Sequence, residues 1–411
     1  MQRWLKFSKY LPDFGVNPII LTVDERKASY PLIDHSLSQE VSSSLRVIKT
    51  NTFEPYSFYS KISSKASAPH SGFANETKPN FIQKISRFVR GNFFIPDSRR
   101  GWNKYALKQA EKLIKEEQID TIITTSPPHS TQLIGYKLKK KIPGLCWVAD
   151  LRDPWTDIYY YNQFYHTSAA KALDASYEKK VLLLADKLVT VSEQVKRLYE
   201  QKVSKNITDK FTIIPNGYDN EDFEFKGNLK DDDKLINIVY TGTMSETYIN
   251  NSFIDVFNKL AKEYNFLKLT LVGDISENIS KLINPKSLNN IGYVPHKDSV
   301  KYLSNADLLL LIIPKIKDNE GILTGKLFEY LGSSKSIIAV GPTLGDAASI
   351  ISECNAGRMF DYDDEEGLRQ YLINLISNWK DNKMIISTSC NFEKYSRKNL
   401  TKVLADLLFT D

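Results

Sequence analysis

No run of eighteen or more apolar residues occurs in the 411-residue chain, so no segment has the pattern of a membrane-spanning helix. The longest apolar run, Leu308–Pro314 (LLLLIIP), has the length of a buried strand. The opening residues MQRWLKFSKYL carry charges throughout and lack a small-residue cleavage site, so no secretory signal is read there. Cysteine is scarce: Cys146, Cys354 and Cys390 are odd in number and far apart. That excludes a disulfide framework and fits packed or surface thiols in a reducing compartment, so a cytoplasmic location is expected. Histidine is also sparse, and His35, His70, His129, His166 and His296 never stand at ligand spacing with one another or with cysteine. No metal cofactor is expected from such a pattern.

What is present is an ordinary globular composition, 42% hydrophobic and 25% charged, in a chain long enough for two hydrophobic cores. The net charge of +6 is unevenly spread. Residues 1–227 hold 34 Lys and Arg against 25 Asp and Glu, while residues 228–411 hold 21 against 24. A basic first half suggests an anionic partner such as phosphate, nucleic acid or lipid headgroups, or else solvated helix faces.

Short β-branched apolar runs alternate with helical patterns along both halves. In the first half the strands are predicted at Pro18–Val23, Leu45–Thr50, Thr121–Thr125, Cys146–Ala149, Leu188–Val191 and Phe211–Ile214. In the second they fall at Ile236–Tyr240, Lys268–Val272, Asn290–Tyr293, Leu308–Ile313 and Ser336–Val340. Continuous apolar strands separated by helices imply parallel sheets buried on both faces, hence an α/β fold with two Rossmann-like halves. The polar stretch Asn220–Lys234 reads as the linker between them. Tyr56–Asn80 has no clear period and reads as a long mobile loop. The segment Phe81–Phe94 (FIQKISRFVRGNFF) places Phe81, Ile82, Ile85, Phe88 and Val89 on one helical face, with Lys84, Arg87 and Arg90 interleaved. It reads either as a basic amphipathic helix for a membrane interface or as a cap on the protein's own core.

Ligands of open α/β sheets bind beyond the carboxyl ends of the strands, so the residues just after each strand carry the functional reading. Gly242, after Ile236–Tyr240, either lets the backbone approach a ligand or simply turns, and Thr241, Thr243 and Ser245 can hold a phosphate or sugar oxygen. The segment Gly321–Gly332 (GILTGKLFEYLG) sets Thr324 and Gly325 before a helix, where free N–H groups make an anion site. Lys326 adds a cation for a diphosphate leaving group, and Glu329, one turn on, can accept two ribose hydroxyls. In the first half, Ala149-Asp150-Leu151-Arg152-Asp153-Pro154-Trp155 puts two carboxylates and a guanidinium at a strand end. Asp150 is then a candidate base or sugar-hydroxyl acceptor, or half of a structural Arg–Asp pair; Arg152 can pair with either carboxylate or bind an anionic acceptor. His129, in the segment Thr125–Ser130, is an acid–base candidate or a helix cap with Ser130.

These residues resemble the GT-B glycosyltransferases of family 4, the retaining group that builds bacterial surface polysaccharides. The resemblance runs through RWLKFSKYLPDFGVNPIILT, DTIITTSPPHSTQLIGYKLKKK, WVADLRDPW, ADKLVTVSEQVKRLYE, IPNGYDNEDF and GKLFEYLGSSKSIIAVG, with IPNGYD and KLFEYL the most specific. It implies two facing Rossmann-like domains: residues 1–227 on the acceptor side, 228–395 for the nucleotide sugar, and 396–411 as a helix crossing back. It also implies transfer of a hexose-type sugar from a nucleoside diphosphate sugar to a lipid-linked or glycan acceptor, without a cofactor or a nucleic-acid partner. The protein would then be cytoplasmic and peripheral on the inner face of the plasma membrane.

By position, Glu329 matches the family's ribose-binding Glu, Gly325 and Lys326 its phosphate-facing turn, and Gly242 the glycine after the first strand of the second domain. Thr243 and Thr324 join the donor side. Asp150 falls where many members have a His, and is expected to act with Lys326 in catalysis. Arg3, His129, Arg152 and Asp153 fall on the acceptor side.

Three departures stand out. The family's second-domain Arg and Lys are absent from GTMSETYIN, and the partner of the helix Glu would fall at Gly321, one residue past Glu320. Lys326 is expected to substitute. The family also opens with a strand and a glycine-rich turn, so roughly fifteen to twenty residues are expected before Met1. Two other readings fit the same pattern: a nucleotide-sugar 2-epimerase on this fold, and a non-catalytic scaffold.

Overall fold

The computed structural model describes residues 2–30, 37, 40–54, 81–224, 235–381 and 392–410. The loop assigned to Tyr56–Asn80, most of the linker, and His35, His70 and Cys390 lie outside these residues. Contacts divide the chain into two compact units, Met1–Pro215 with Thr401–Asp411, and Asn216–Leu400.

The first unit carries two parallel sheets. One pairs β1 (Ile19–Val23) with β2 (Arg46–Thr50). The other runs in the order β3 (Thr121–Ser126), β4 (Cys146–Leu151), β5 (Lys187–Thr190), β6 (Phe211–Ile213). The helix Asn103–Glu116 packs against both β1 and β2. The core of the four-stranded sheet gathers Trp147, Ala149, Leu151, Val181 and Leu188. Trp147 explains a glycine that helix propensity disfavours: a Cβ at Gly135, inside the helix Gln132–Lys141, would lie 2.2 Å from Trp147 Nε1. With that close approach allowed, Trp147 Nε1 donates to Thr124 Oγ1 at 2.8 Å. The last helix, Arg397–Phe409, begins in the second unit and ends in the first, where Lys187 Nζ donates to Leu407 O at 2.8 Å.

The second unit is one six-stranded parallel sheet. Its strands are β7 (Ile236–Thr241), β8 (Leu267–Val272), β9 (Leu288–Gly292), β10 (Leu308–Ile312), β11 (Ser336–Val340) and β12 (Gly357–Phe360), in the order β12-β11-β10-β7-β8-β9. The chain enters at the centre, winds outward to β9, then returns to the other side of β7 at β10. This is a doubly wound sheet whose winding reverses between β7 and β10.

Alternate residues of each strand serve opposite faces, as the pleat requires. Leu308, Leu310 and Ile312 join Ile238, Tyr240 and Phe257 in one core. Leu309 and Leu311 join Val239, Phe328 and Ala339 in the other. Strand β12 (GRMF) has no apolar run to betray it.

Candidate active site

The winding reverses between β7 and β10, where ligands of such sheets bind, and Gly242, Thr243 and Lys326 meet at the carboxyl end of β7. The chain leaves β7 through Gly242, whose φ of +102° suits glycine. A Cβ there would lie 2.5 Å from Lys326 Cε, so any larger residue would displace the lysine side chain. Lys326 comes from the first turn of the helix Gly325–Gly332. Its ammonium donates to Tyr240 Oη and to Thr243 O, the latter at 3.2 Å. It also lies over the rings of Tyr240 and Tyr248, 4.2 and 5.4 Å from their centroids. Tyr240 Oη donates in turn to Thr243 O at 2.7 Å, which closes the small network. Burial lowers the Lys326 pKa to about 8, against the opposing pull of Glu329. The side chain is therefore a mostly protonated cation at neutral pH.

Thr324 is the N-cap of this helix by its backbone, yet its side chain makes no capping bond. Its Oγ1 is shielded and has no partner among the described residues. The first N–H groups of a helix have no acceptor within it. A Cβ built on exposed Gly325 meets nothing within 4 Å, so there is room in front of that turn. One turn on, Glu329 is partly buried, and burial raises its pKa. The nearest opposing influence is His296, whose Nδ1 lies 4.0 Å from Glu329 Oε1, with Arg397 and Lys326 adding to it and Asp222 working against it.

The two most specific motifs meet within this unit. A Cβ at Gly332, at the end of GKLFEYLG, would lie 2.6 Å from the rings of both Tyr218 and Phe223. Tyr218, from IPNGYD, bridges to Ser396, and its carbonyl accepts from Arg397 N at 2.7 Å. Asp219 caps the turn Asn220–Phe223 by accepting from Glu221 N. The motif residues thus fix the back of the Glu329 helix. Tyr330, beside Glu329, donates to Leu310 O at 3.1 Å and accepts from Thr241 N at 3.2 Å, tying β10 and β7 to that helix.

In the first unit Asp150 is 1% exposed. Its Oδ2 accepts from Trp4 Nε1 and Thr125 Oγ1, both at 2.8 Å, and its Oδ1 pairs with Arg3 at 3.3 Å. Arg3, itself 2% exposed, donates also to Pro215 O at 2.8 Å. Asp150 and Arg3 are thus an interior pair that fixes the helix Gln2–Tyr10 to the ends of β3 and β4. Arg152 turns back on the preceding strand end, with Nε donating to Ser126 O at 3.0 Å and its terminal nitrogen to Pro127 O at 3.2 Å. His129 stacks on Trp155 at 4.8 Å between ring centroids. Burial, then the Arg152 charge, pushes its pKa down to about 3, so it is neutral, and its Nδ1 has no partner among the described residues. Asp153 is held above the usual carboxylate range by burial.

The sequence reading missed His296, Asp222 and Tyr240. His296 was within reach, because Val294-Pro295-His296 follows a strand, as the other candidates do. Tyr240 was not, because it lies inside an apolar run and only its hydroxyl reaches the site. Among the described residues no three His, Cys, Asp or Glu side chains gather as a metal would need.

Residues 68–222 match the sequence model of Glycosyltransferase Family 4. No curated protein matches the chain by sequence. Solved structures do match it in fold. HepE of Anabaena, solved with UDP and glucose, is 11% identical, with a TM-score of 0.61 over 100% of this chain and 95% of that one. Sucrose-phosphate synthase of Thermosynechococcus elongatus is 12% identical, with a TM-score of 0.60 over 98% and 91%. WaaG, a glycosyltransferase involved in lipopolysaccharide biosynthesis, is 12% identical, with a TM-score of 0.55 over 100% and 96%. The chain therefore has the fold of the GT-B glycosyltransferases, and over residues 68–222 it carries the sequence pattern of family 4.

Proposed function

We propose that this protein transfers a sugar from a nucleoside diphosphate sugar to a lipid-linked or polysaccharide acceptor, with retention at the anomeric carbon, in the synthesis of cell-surface polysaccharide. The observation that carries the proposal is the placement of Lys326. It is a cation of lowered pKa, held by Tyr240 and Thr243 at the open N-terminus of a helix. When the bond from the anomeric carbon to the diphosphate breaks, its electron pair goes to the diphosphate oxygen. Lys326 and the N–H groups of Thr324 and Gly325 stabilise that charge where it develops. Glu329 accepts the ribose hydroxyls, and Gly242 lets the backbone approach the donor. Two relatives in fold support the donor class: HepE has been solved with UDP-glucose, and TarM with UDP.

In the first unit, Arg152, Asp153 and His129 are proposed to face the acceptor. Asp150 and Arg3 position that surface from inside. The reaction needs no cofactor beyond the donor. A lipid-linked acceptor would place the protein at the inner face of the plasma membrane.

The test is a panel of nucleotide sugars screened by thermal shift, followed by product analysis with and without glycan or lipid-linked acceptors. One nucleotide sugar is expected to raise Tm, and Glu329→Ala to remove that rise. A panel without any shift, or a full shift in Glu329→Ala, contradicts the proposal. Donor consumed without an acceptor points to epimerisation instead.

A further inference from the structure

The helix Phe81–Phe93 is amphipathic in the inverted sense. Its polar side is turned into the first unit and its apolar side outward. Arg87 and Gly91 are its buried residues. A Cβ at Gly91 would lie 2.5 Å from Phe164 O, so that side sits directly on the segment Tyr161–Phe164. The seat is specific. Asn92 Nδ2 donates to Tyr165 O at 3.1 Å, Thr167 N donates to Asn92 Oδ1 at 2.7 Å, and the Arg90 guanidinium lies 4.9 Å over the Phe164 ring. The other side presents Phe81, Ile82, Ile85, Phe88, Val89 and Phe93, with Phe81, Ile82 and Phe93 exposed by 76%, 66% and 71%. The polar contacts fix the rotation of the helix, so the apolar stripe faces outward by construction.

We infer that this helix is a docking surface for an anionic lipid bilayer, lying in the interface with its apolar side among the acyl chains. Charge selects the occupant. On this helix Lys84 is exposed and Arg90 half-buried, and between Glu76 and Asp97 the sequence holds no acidic residue. A self-associating apolar face gains nothing from uniform positive charge, since two copies would repel. An interfacial helix needs apolar bulk on one side and cations beside it, to reach headgroup phosphates. No helix among the described residues is long and apolar enough to cross a membrane. The inference goes beyond the donor chemistry and does not depend on it.

The experiment is co-sedimentation of the full chain with phosphatidylcholine vesicles, with and without phosphatidylglycerol, at low and high salt. The wild type is expected to partition at least about tenfold better onto the anionic vesicles at low salt, because each cation near such a surface contributes roughly fivefold. Ile85→Glu/Phe88→Glu is expected to abolish that partition. Phe81→Ser/Ile82→Ser, at the most exposed end, gives a second and milder test, and thermal unfolding of both variants checks that the fold is kept. Lys84→Glu is expected to lower anionic partition about fivefold or more and to leave unfolding unchanged. No partition by the wild type, equal partition onto both vesicles, or partition untouched by either double substitution overturns the inference. So does a concentration-dependent dimer, seen by light scattering, that the double substitutions dissolve.

Discussion

His296 Nδ1 lies 4.0 Å from Glu329 Oε1, while its Nε2 lies 3.3 Å from Asp222 Oδ2. One imidazole thus stands between two carboxylates, and one of these is the proposed ribose acceptor. Burial raises the Glu329 pKa and His296 is the first influence holding it down. A carboxylate must be ionised to accept two hydroxyls, so donor affinity should fall as pH drops through the Glu329 pKa. His296→Ala should move that fall to higher pH, because the charge that opposes protonation of Glu329 is removed. Calorimetric titration of donor between pH 5 and 8 checks it, and an unchanged acid limb contradicts it.

Glu329 also predicts a stability signature. Its folded pKa lies above the unfolded value, so the native state binds more protons above that unfolded value. Stability is then lost as pH rises through that window, and a neutral isostere removes the loss. Glu329→Gln should unfold at the same or a higher temperature than wild type at pH 7, yet show no donor-induced shift. A large fall in Tm would mean that Glu329 holds the fold together.

Lys326 carries the opposite charge and leads to a second pH prediction. Burial lowers its pKa to about 8, so the free site loses its cation above that value, and donor affinity should weaken as pH rises through about 8. The native state also binds fewer protons than the unfolded chain between the folded and unfolded pKa values, so stability rises with pH there. Lys326→Met should therefore be no less stable than wild type at pH 7. Its turnover should fall by about 10² to 10³, the loss typical of one oxyanion-stabilising donor. Steady-state kinetics on the folded variant measures it.

Asp150 is a case where removal should cost the fold. It joins Arg3, Trp4 and Thr125 in an interior where Arg3 and Asp150 are 2% and 1% exposed. Asp150→Ala leaves the Arg3 guanidinium buried without its carboxylate, a change that typically costs about 3–5 kcal/mol. Denaturant unfolding followed through the five tryptophans should show it. If the variant stays fully stable but loses turnover, a direct chemical role for Asp150 is favoured over the holding role.

Gly332→Ala tests the contact between the two specific motifs. The added methyl would lie 2.6 Å from the rings of Tyr218 and Phe223, so something must shift. The expected loss is about 1–3 kcal/mol, as for other overpacked cores. The donor-induced thermal shift should shrink with it, because the displaced helix carries Lys326 and Glu329. A variant with wild-type stability would mean that the rings yield at little cost.

The alternation of apolar runs and helical patterns was enough to read two α/β halves from the sequence. Buried parallel strands must be continuously apolar, and that requirement is local. The run Leu308–Ile313 and the turn Thr324-Gly325-Lys326 could be recognised for the same reason: each answers to its own few residues. Tertiary structure alone decided the rest. Periodicity shows which side chains of Phe81–Phe93 share a face, but only the seat on Phe164 and Tyr165 turns that face outward. Sequence puts Asp150 after a strand, yet its burial depends on Arg3 and Trp4, which are far away along the chain. His296 and Glu329 belong to different elements, and only the folding of the second unit sets their rings and carboxylates side by side. Local pattern determines elements and their ends; which partners they meet depends on how the sheet winds.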